Sequence, residues 1–372
     1  MHERFDVAVI GGGPSGTALA TALARAGLAV AVLERSHYDH MRIGETLPPR
    51  ARLPLMRLGV WERFLSERHA PSPGILVAWG QAEPYENHFI FHPYGHGWHL
   101  DRRRFDALLA QVAEEAGATV YRGMQVTTCL PVASRGWQME FTSDRKRGRL
   151  QASFLVDAAG RASVLARSQG AKRMFYDRLI SMVAFCSPPS RVGEPDYQTL
   201  VEAVEDGWWY SAWLPHAQLV VAYMTDADLI PSGRMHARAH WQSRLEQAPY
   251  TRTRVSDCVL ETGLHRFAAN SYRRDRLTGP HWLAVGDAAT AFDPLSSRGI
   301  SHALESGLRA AQAIENSLRA DHSALAEYAR WAQASFDEYL RMRTRYYGRE
   351  QRWPCSTFWQ RRQEAQDRGV EG

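Results

Sequence analysis

The chain has 372 residues, 45% of them hydrophobic, which is enough for a large core in two domains or in one elaborated α/β domain. Its four cysteines are scattered without a Cys-x-x-Cys pair, which argues against a metal site or a disulfide framework and favours a reducing, cytoplasmic environment. The net charge is +5, and the basic residues are almost all arginine, a bias that we attribute to genome composition, so we expect no nucleic-acid partner. No stretch is apolar enough for a membrane span, so we expect none.

The first predicted element, a buried strand over residues 5–10, runs directly into a glycine-rich turn, and we expect no signal peptide before it. Gly11, Gly13 and Gly16 form the pattern G-x-G-x-x-G. In this pattern the first glycine permits a tight turn, the second lets a pyrophosphate approach the backbone, and the third lets helix and strand pack closely. The turn therefore predicts a dinucleotide site.

A helix and a second strand complete this predicted unit. The Ala-rich helix over residues 15–26 starts at Ser15, directly after Pro14, and offers free amides and a positive dipole end to phosphates. The strand over residues 28–33 ends at Glu34, where an acid can hold a ribose hydroxyl. Strand, helix, strand and terminal acid together favour a dinucleotide-binding unit over a chance glycine-rich turn.

The later elements alternate between helix and strand patterns. The predicted helices cover residues 53–65 with an interruption near Gly59, 101–116, 234–248, 300–318 and 324–347. The predicted strands cover residues 118–122, 126–130, 137–141, 149–156, 219–224 and 281–285. Residues 172–262 hold short alternating segments and prolines and predict a sheet-rich insert. Pro354 interrupts the C-terminal tail, whose last residues we expect to fray.

A second glycine–aspartate element, Gly286-Asp287, follows the predicted strand over residues 281–285. A carboxylate at this place can accept a hydrogen bond from a ribityl hydroxyl, which FAD has and NAD lacks. The predicted helix after Gly299 would direct free amides at the flavin ring edge that becomes anionic on reduction. Alone, Asp287 would be an ordinary helix N-cap. Paired with the first motif, it predicts FAD.

With these motifs the chain resembles the FAD-dependent monooxygenases of the para-hydroxybenzoate-hydroxylase fold class and their relatives, the flavin-dependent halogenases and geranylgeranyl reductases. Three further motifs carry the match over most of the chain: Gly44-Glu45-Thr46, Leu100-Asp101-Arg102 and Asp157-Ala158-Ala159-Gly160. The resemblance implies an α/β fold, with a Rossmann-type, glutathione-reductase-like FAD-binding domain, an inserted mixed-sheet substrate domain and C-terminal helices. The implied FAD-binding domain covers residues 1–75, 99–172 and 265–335, the substrate domain residues 76–98 and 173–264, and the helical tail residues 336–372.

The resemblance also implies which residues bind FAD. They are Gly11, Gly13, Pro14, Ser15, Gly16, Glu34, Arg35, Arg42, Glu45, Thr46, Arg102, Val126, Asp157, Gly160, Gly286, Asp287, Pro294, Gly299 and Ile300. Arg102 is implied to contact the diphosphate and ribityl side of FAD, and Arg42 is a second candidate for the same role. The plain alternative for Arg102 is a solvated arginine on a helix.

Two departures from the family pattern bear on the reaction. The monooxygenases have Asp-Gly where this chain has Ala159-Gly160, with its acid shifted to Asp157. That motif is tied in the family to reduction by a nicotinamide cofactor, so its loss favours a separate flavin reductase. Halogenases carry a catalytic lysine downstream of the shared loop at Gly44, whereas this chain has no lysine before Lys146. Hydroxylation is therefore favoured over halogenation.

The stretches RIGETLPP, FHPYGHGWHLDRRRFD, DGWWYSAWLP and EQRWPCSTFW resemble a narrower group, the flavoproteins that modify a protein tryptophan during maturation of tryptophylquinone cofactors. The resemblance implies an FAD-dependent monooxygenase that uses O2, through a flavin C4a-hydroperoxide, to hydroxylate an indole or tryptophan ring carried by a partner protein. Three alternatives stay open: a flavin-dependent halogenase, an FAD-dependent dehydrogenase or reductase, and a non-catalytic flavin-binding assembly factor.

The sequence identifies no catalytic residue, but it offers candidates for the wall of a cavity over the flavin. They are Trp98, His99, Trp209, Tyr210 and Trp213. Strand alternation predicts Trp209 and Trp213 on one face of their strand and Tyr210 on the other, so only one of these faces lines the cavity. A lone histidine is more often structural, and we do not predict that His99 acts as a base.

Overall fold

The computed structural model describes residues 3–132, 136–143, 147–188, 195–256, 258–260 and 263–367. In this part of the chain the helices are α1 (Pro14–Arg25), α2 (Arg52–Arg57), α3 (Trp61–Ser66), α4 (Arg102–Glu115), α5 (Val164–Ser168), α6 (Arg234–Leu245), α7 (Pro249–Val255), α8 (Gly299–Leu318), α9 (Ala324–Tyr347) and α10 (Thr357–Asp367). The strands are β1 (Glu3–Ile10), β2 (Val30–Glu34), β3 (Thr46–Leu47), β4 (Ala70–Ser72), β5 (Gly74–Ala78), β6 (Tyr85–His88), β7 (Gly97–His99), β8 (Thr119–Arg122), β9 (Gln125–Val132), β10 (Gly136–Thr142), β11 (Arg147–Asp157), β12 (Arg173–Phe175), β13 (Leu179–Ser187), β14 (Thr199–Val204), β15 (Gly207–Leu214), β16 (Gln218–Asp226), β17 (Val259–Leu260), β18 (His265–Ala268), β19 (Tyr272–Arg274), β20 (Thr278–Gly279), β21 (Trp282–Ala284) and β22 (Thr290–Ala291).

The first sheet is built around β1 and has the order β20-β21-β11-β1-β2-β8, with β9 and β10 attached to β11. Strands β1, β2, β8, β11 and β21 run parallel. Val7, Val9 and Val32 are buried, as expected for a parallel sheet covered on both faces. The register aligns Ile10, Asp157 and Ala284 at the carboxyl ends of three adjacent strands. The loops that follow these strands therefore meet at one edge of the sheet.

The second sheet forms the insert and has the order β17-β13-β16-β15-β14-β5-β6, with β18 paired to β13. Successive residues of β15 point to opposite faces. Trp208 packs with Tyr347 and Trp359 on one face, whereas Trp209 packs with Trp241 under α6 on the other. The sequence-based alternation along this strand is therefore confirmed, and each face has its own apolar core.

Two three-stranded sheets connect the larger ones. In the sheet β3-β7-β4, β3 pairs antiparallel with β7 and places Thr46 opposite His99. The sheet β12-β19-β22 lies beside the loop that leads into α8. Because β7 also contacts β15 through His99, the loop that contains Glu45 is fastened to the insert.

Most predicted helices and strands are confirmed, and the differences have local causes. The predicted interruption near Gly59 is confirmed, since this glycine has φ of +66° and separates α2 from α3. The helix predicted over residues 234–248 is α6, which ends at Leu245, and Pro249 begins a separate helix, α7, that was not predicted. The sheet β3-β7-β4 was not predicted, because strands of two or three residues carry no periodicity.

Three of the five implied domain boundaries fall inside continuous elements, and the other two fall directly before β12 and β18. The boundary at residue 75 lies in β5, the one at residue 98 in β7, and the one at residue 335 in α9. Helix α10 lies within the implied helical tail, and it docks on the insert, where Trp359 is fully buried. The terminal residues expected to fray lie partly outside the described residues. Among the residues that the structure describes, no helix is both long and apolar enough to cross a bilayer.

Candidate functional site

The glycine-rich turn between β1 and α1 has the geometry that close approach to a phosphate requires. Gly11 has φ of +106°, and a Cβ there would lie 2.4 Å from the Ala158 carbonyl oxygen. Apart from its chain neighbours, no atom in the described part of the chain lies within 4 Å of a Cβ built on Gly13. No side chain caps the start of α1, whose first residue is Pro14. The amides at this helix end therefore face an open region that fits a phosphate group.

Glu34, at the end of β2, fastens this turn. Its carboxylate accepts hydrogen bonds from the Gly12 amide at 2.8 Å, the Ser36 amide at 3.0 Å and the Ser36 hydroxyl at 2.6 Å. Arg42 donates to it at 2.8 Å. Burial opposes ionisation, but the Ser36 hydroxyl and the charge of Arg42 hold the pKa of Glu34 below its ordinary value. Glu34 is therefore an oriented carboxylate.

The two arginines implied near Glu34 lie in different surroundings. Arg42 also pairs with Asp106 at 2.9 Å, so its guanidinium sits between two carboxylates. Arg35 is exposed. Tyr38, which the sequence reading missed, donates its hydroxyl to the Gly12 carbonyl at 2.9 Å, and burial raises its pKa. An aromatic residue a few positions after the terminal acid is too common a pattern to have revealed it.

The two distant motifs meet at Ser15 and Gly286. A Cβ on Gly286 would lie 2.7 Å from the Ser15 hydroxyl oxygen, so the two segments touch. The next residue, Asp287, has a side chain that is 38% exposed, with Oδ2 3.5 Å from Nε of Arg161. Arg161 donates to the Asn270 carbonyl at 2.9 Å. Asp287 and Arg161 therefore border one open region, and sequence reasoning had not identified Arg161.

Two other implied cofactor residues are buried. Asp157 accepts hydrogen bonds from the Ala159 amide at 3.2 Å, the Ser163 hydroxyl at 3.1 Å and the Ala166 amide at 2.8 Å. It thus holds the turn after β11 and the start of α5. The Val126 side chain is part of the apolar core beside the first sheet. By contrast, Gly160 has φ of +59°, and apart from its chain neighbours and its own helical turn no described atom lies within 4 Å of an added Cβ.

The start of α8 is a second uncapped helix end. Apart from chain neighbours and the backbone of α8 itself, no atom of the described residues lies within 4 Å of a Cβ built on Gly299, and none of their side chains caps the helix. Pro294 opens a short turn that is held by a hydrogen bond from the Leu295 amide to Asp293 at 2.9 Å. Ile300 packs into the core with its side chain buried. This helix end fits an anionic group such as the edge of a reduced flavin ring.

A cavity of about 320 Å³ lies between the loop that contains Glu45 and the insert. Its walls include Glu45, Arg102, Arg103, Phe185, Leu214 and His216. Arg102 donates to the carbonyl oxygens of Ile43 at 2.7 Å and Gly44 at 3.1 Å and pairs with Asp106. Arg102 therefore supports the loop as well as lining the cavity.

Of the five aromatic candidates, Tyr210 is next to this loop. Its hydroxyl lies 2.6 Å from the Thr46 hydroxyl. Trp209 stacks on Tyr223 and packs against Trp241, and Trp213 belongs to the same apolar cluster on the far face of the sheet. The strand thus brings Tyr210 to the loop and turns Trp209 and Trp213 away from it.

Trp98 and His99 hold the small sheet in place. His99 is fully buried, with Nδ1 2.8 Å from the Trp213 carbonyl oxygen and Nε2 2.8 Å from the Thr199 hydroxyl. Burial lowers the pKa of His99 to about 4, so its ring is neutral. Trp98 packs edge-on against Trp61 and Phe64. Both residues connect elements of the fold.

Comparisons with known proteins agree with this arrangement. A family model described as an FAD binding domain matches residues 4–341. The chain is 32% identical over 371 residues to a protein of Marinomonas mediterranea named as an FAD-dependent oxidoreductase, LodB, and the match covers 97% of each chain. Two solved structures are also similar. The myxobacterial chondrochloren halogenase CndH has a TM-score of 0.87 at 26% identity, with 99% of this chain and 89% of that chain covered. The peptidyl tryptophan dihydroxylase QhpG has a TM-score of 0.80 at 26% identity, with 97% and 79% covered.

The family resemblance inferred from the sequence is confirmed by these matches. The residues present also fit the cofactor, because two uncapped helix ends, the oriented carboxylate of Glu34 and the open carboxylate of Asp287 lie at the edge where the strands β1, β11 and β21 end. The chain therefore belongs to the FAD-binding-domain family and is an FAD-dependent oxidoreductase.

Proposed function

We propose that this oxidoreductase is an aromatic monooxygenase that hydroxylates the indole ring of a tryptophan in a partner protein. Bound and reduced, FAD supplies two electrons and the capacity to activate O2. In the overall reaction one oxygen atom enters the ring, the other leaves as water, and the flavin is oxidised. The similarity to QhpG, named as a peptidyl tryptophan dihydroxylase, extends over 97% of this chain and supports the proposal.

The residues of this chain hold the cofactor and exclude water in the proposed reaction. Glu34 and the start of α1 hold the adenosine and phosphate end, and Asp287 accepts a hydrogen bond from a ribityl hydroxyl. The start of α8 stabilises negative charge on the reduced ring. Phe185 and Leu214 form an apolar side of the cavity, which limits the access of water to the reacting ring.

The positions of the lysines favour hydroxylation over halogenation. The chain contains Lys146 and Lys172 and no other lysine, and strand β5, which follows the loop at Gly44, has none. Lys172 is exposed, and its backbone amide donates to Asp275 at 2.8 Å. It is not among the residues that line the cavity, and Lys146 lies outside the described residues. A catalytic ammonium of the kind implied for halogenases is therefore not provided by the described residues.

We further propose that a separate flavin reductase provides the electrons. Asp157 replaces the acid of the family's Asp-Gly motif, and its carboxylate is fully buried and accepts three hydrogen bonds from the turn that follows it. A carboxylate engaged in this way supports the turn and has little capacity left for a nicotinamide cofactor.

Exposed apolar side chains at one end of the insert support a polypeptide substrate. Ile90 is 80% exposed and Phe91 is 94% exposed, just after the edge strand β6. All four residues of β6 are exposed, and among the described strands only β5 pairs with it. Exposed apolar groups beside a free strand edge are typical of a surface that binds an extended segment.

The strand register relates this surface to the cavity. Leu76 pairs with Glu86 and with Leu200, and Leu200 pairs with Ser211. Strands β6 and β15 run in the same direction. Phe89 lies three residues after Glu86, just past the end of β6, and the cavity residue Leu214 lies three residues after Ser211. Three strand spacings separate them, roughly 14 Å at about 4.8 Å each. An extended segment of about four or five residues spans that distance.

Mass spectrometry of a candidate partner protein co-expressed with this chain tests the proposal. We expect one or two added oxygen atoms on a single tryptophan. Replacement of both Ile90 and Phe91 by serine should reduce this modification and leave the oxidation of free N-acetyltryptophanamide unchanged. Met235→Ser, at a position that is 86% exposed on α6, is the matched control and should change neither.

Three other outcomes separate the alternatives. If the partner protein is unmodified and N-acetyltryptophanamide is oxidised, the chain is a monooxygenase that acts on small molecules. Oxygen consumption without an oxygenated product would indicate a dehydrogenase or reductase. If the FAD-loaded protein consumes no oxygen after photoreduction, it is a non-catalytic flavin-binding assembly factor.

A flavin-dependent halogenase is the second candidate function. The similarity to CndH, with a TM-score of 0.87 over 99% of this chain, favours it. The two candidates differ in the product formed when halide is present.

A further inference from the structure

Glu45 is a buried carboxyl group at the cavity wall that the protein leaves partly unbonded. The residue is 4% exposed, and its Oε1 has no hydrogen-bond partner among the described residues. Buried polar atoms are nearly always hydrogen-bonded, so an exception at a cavity suggests a role outside the fold itself. We propose that Glu45 is the catalytic base of this oxygenase and that its Oε1 accepts the proton that the ring carbon loses. This inference rests on the proposed hydroxylation.

The proposed step balances in atoms and electrons. The ring carbon that has gained a C–O bond breaks its C–H bond, and the electron pair of that bond returns to the ring and restores its aromaticity. The proton passes to the Glu45 carboxylate. The oxygen atom comes from O2, the two reducing electrons come from reduced FAD, and the proton later leaves with the water formed from the second oxygen atom.

The neighbours of Glu45 hold it in place without occupying Oε1. The Leu100 amide donates to the Glu45 carbonyl at 2.9 Å and fixes the backbone beside β3. The Thr46 hydroxyl is bonded to Tyr210. The guanidinium of Arg102 donates to backbone carbonyls and pairs with Asp106. These polar groups thus have other partners, and Oε1 of Glu45, a residue of the cavity wall, is left without a hydrogen bond among the described residues.

A second buried glutamate shows what a purely structural role looks like in the same chain. Glu202, on β14, is 2% exposed. Its carboxylate accepts hydrogen bonds from the Tyr250 amide at 3.2 Å, the Thr251 amide at 2.7 Å and the Thr251 hydroxyl at 2.7 Å. Glu202 ties α7 to the sheet and has both oxygens engaged. The contrast makes it a matched control for Glu45.

The surroundings of Glu45 suit proton exchange near neutral pH. Burial raises the pKa of Glu45 to about 7, although the amides of Glu45 and Gly44 and the charge of Arg102 oppose the rise. Burial also raises the pKa of Tyr210, so that neighbour stays neutral. The other charged or titratable groups that face the cavity are Arg42, Asp101, Arg103 and His216. A base that titrates near the working pH is the most effective kind.

The kinetic test uses the FAD-loaded chain, photoreduced and mixed with O2 and N-acetyltryptophanamide in single turnovers at a series of pH values. The wild-type rate should rise with pH through about 7, because the ionised carboxyl is the active form. Glu45→Gln should lower the rate about 100-fold or more and remove that rise. Glu45→Asp should keep the rise with a reduced rate, and Glu202→Gln should keep both rate and profile.

A spectroscopic test needs neither FAD nor turnover. Infrared difference spectra of the FAD-free chain should contain a carboxylic acid band that disappears as the pH rises through about 7. The band should be absent from Glu45→Gln and present in Glu202→Gln. A Glu45→Gln chain with an unchanged rate and pH profile, or a wild-type chain without such a band, would overturn the assignment. A titrating band in a chain that forms no oxygenated product would instead overturn the proposed function.

Discussion

The charged residues of the site fall into two groups. In one group the hydrogen-bonding positions are occupied by protein partners, and in the other some of these positions are unused. Glu34, Arg42 and Asp106 form a continuous chain of ion pairs. Asp287 is different, since its carboxylate is 38% exposed and lies 3.5 Å from Arg161. A carboxylate with unused acceptor positions can bind a cofactor hydroxyl, whereas one enclosed by protein donors mainly orients its neighbours. We therefore expect Asp287 to bind a hydroxyl of FAD directly, and Glu34 to act mainly by holding the turn that binds the phosphate end.

We predict that Asp287→Ala weakens FAD binding by about 10- to 100-fold, because a hydrogen bond to a charged group contributes about 1.5–3 kcal/mol. Titration of the FAD-free protein with FAD, followed by flavin fluorescence, measures the change. Asp337→Ala is the control, because Asp337 also pairs with an arginine, Arg273 at 2.9 Å, but is 51% exposed. Equal affinity in the wild type and Asp287→Ala would exclude the assigned contact.

Helices α9 and α10 connect the insert to the loop that leads into α8, and we call this connection the C-terminal clamp. Trp359, on α10, is fully buried, and its indole N–H donates to the Val204 carbonyl at 3.0 Å. Its ring packs against Trp79 and Tyr347, which come from the insert and from the end of α9. Tyr347 in turn donates to Asp293 at 2.7 Å, in the loop that leads into α8. The tail therefore connects the insert to the cofactor loop.

We expect Trp359→Ala to lower the free energy of unfolding by about 3–5 kcal/mol, the usual cost of a large cavity in a core. Trp359→Phe should cost about 1–3 kcal/mol, because it keeps an aromatic ring but leaves the Val204 carbonyl without its donor. Urea unfolding followed by circular dichroism measures both. Met235→Ala, on an exposed face of α6, should stay within about 0.5 kcal/mol of the wild type. A Trp359→Ala chain of wild-type stability would contradict the clamp.

The whole molecule builds one site from three separate parts of the chain. The parallel strands β1, β11 and β21 end side by side, so the turns at Gly11, Gly160 and Gly286 meet at one edge of the sheet. This is the edge at which open α/β sheets bind their ligands. Phe185 and Leu214 of the insert line the cavity beside the loop that contains Glu45. The FAD-binding domain is common to the family, and the insert contributes part of the cavity wall.

We predict no halogenated product from this arrangement. The photoreduced, FAD-loaded chain is mixed with O2, chloride or bromide, and N-acetyltryptophanamide, and the products are analysed by mass spectrometry. The expected product is hydroxylated with or without halide, because the cavity has no lysine among its described lining residues to receive a hypohalous acid. A chlorinated or brominated indole would favour the halogenase alternative. Omission of FAD is the control for unspecific oxidation.

The sequence by itself determined the features that depend on nearby residues. The turn from Gly11 to Gly16, the acid at the end of β2 and the helix Ala324–Tyr347 were all predicted, because each follows from glycine placement, β-branched runs or helical periodicity over short distances. The two glycine motifs also indicated FAD, which the family match confirms. Local patterns thus identified the cofactor, and the family resemblance carried by these motifs implied the fold class.

Only the tertiary structure decided which polar and aromatic groups face the site. Arg42 is enclosed by Glu34 and by Asp106, which is 64 residues away in the chain, and no local pattern records such a pairing. Alternation predicted that Trp209 and Tyr210 face opposite ways, but the packing of α6 and of the Thr46 loop determined which of them lies near the cavity. The unbonded oxygen of Glu45 is likewise a property of its surroundings. A side chain is available for chemistry only if other protein groups do not occupy its hydrogen-bonding positions. Contacts between residues that are distant in sequence determine which positions are occupied.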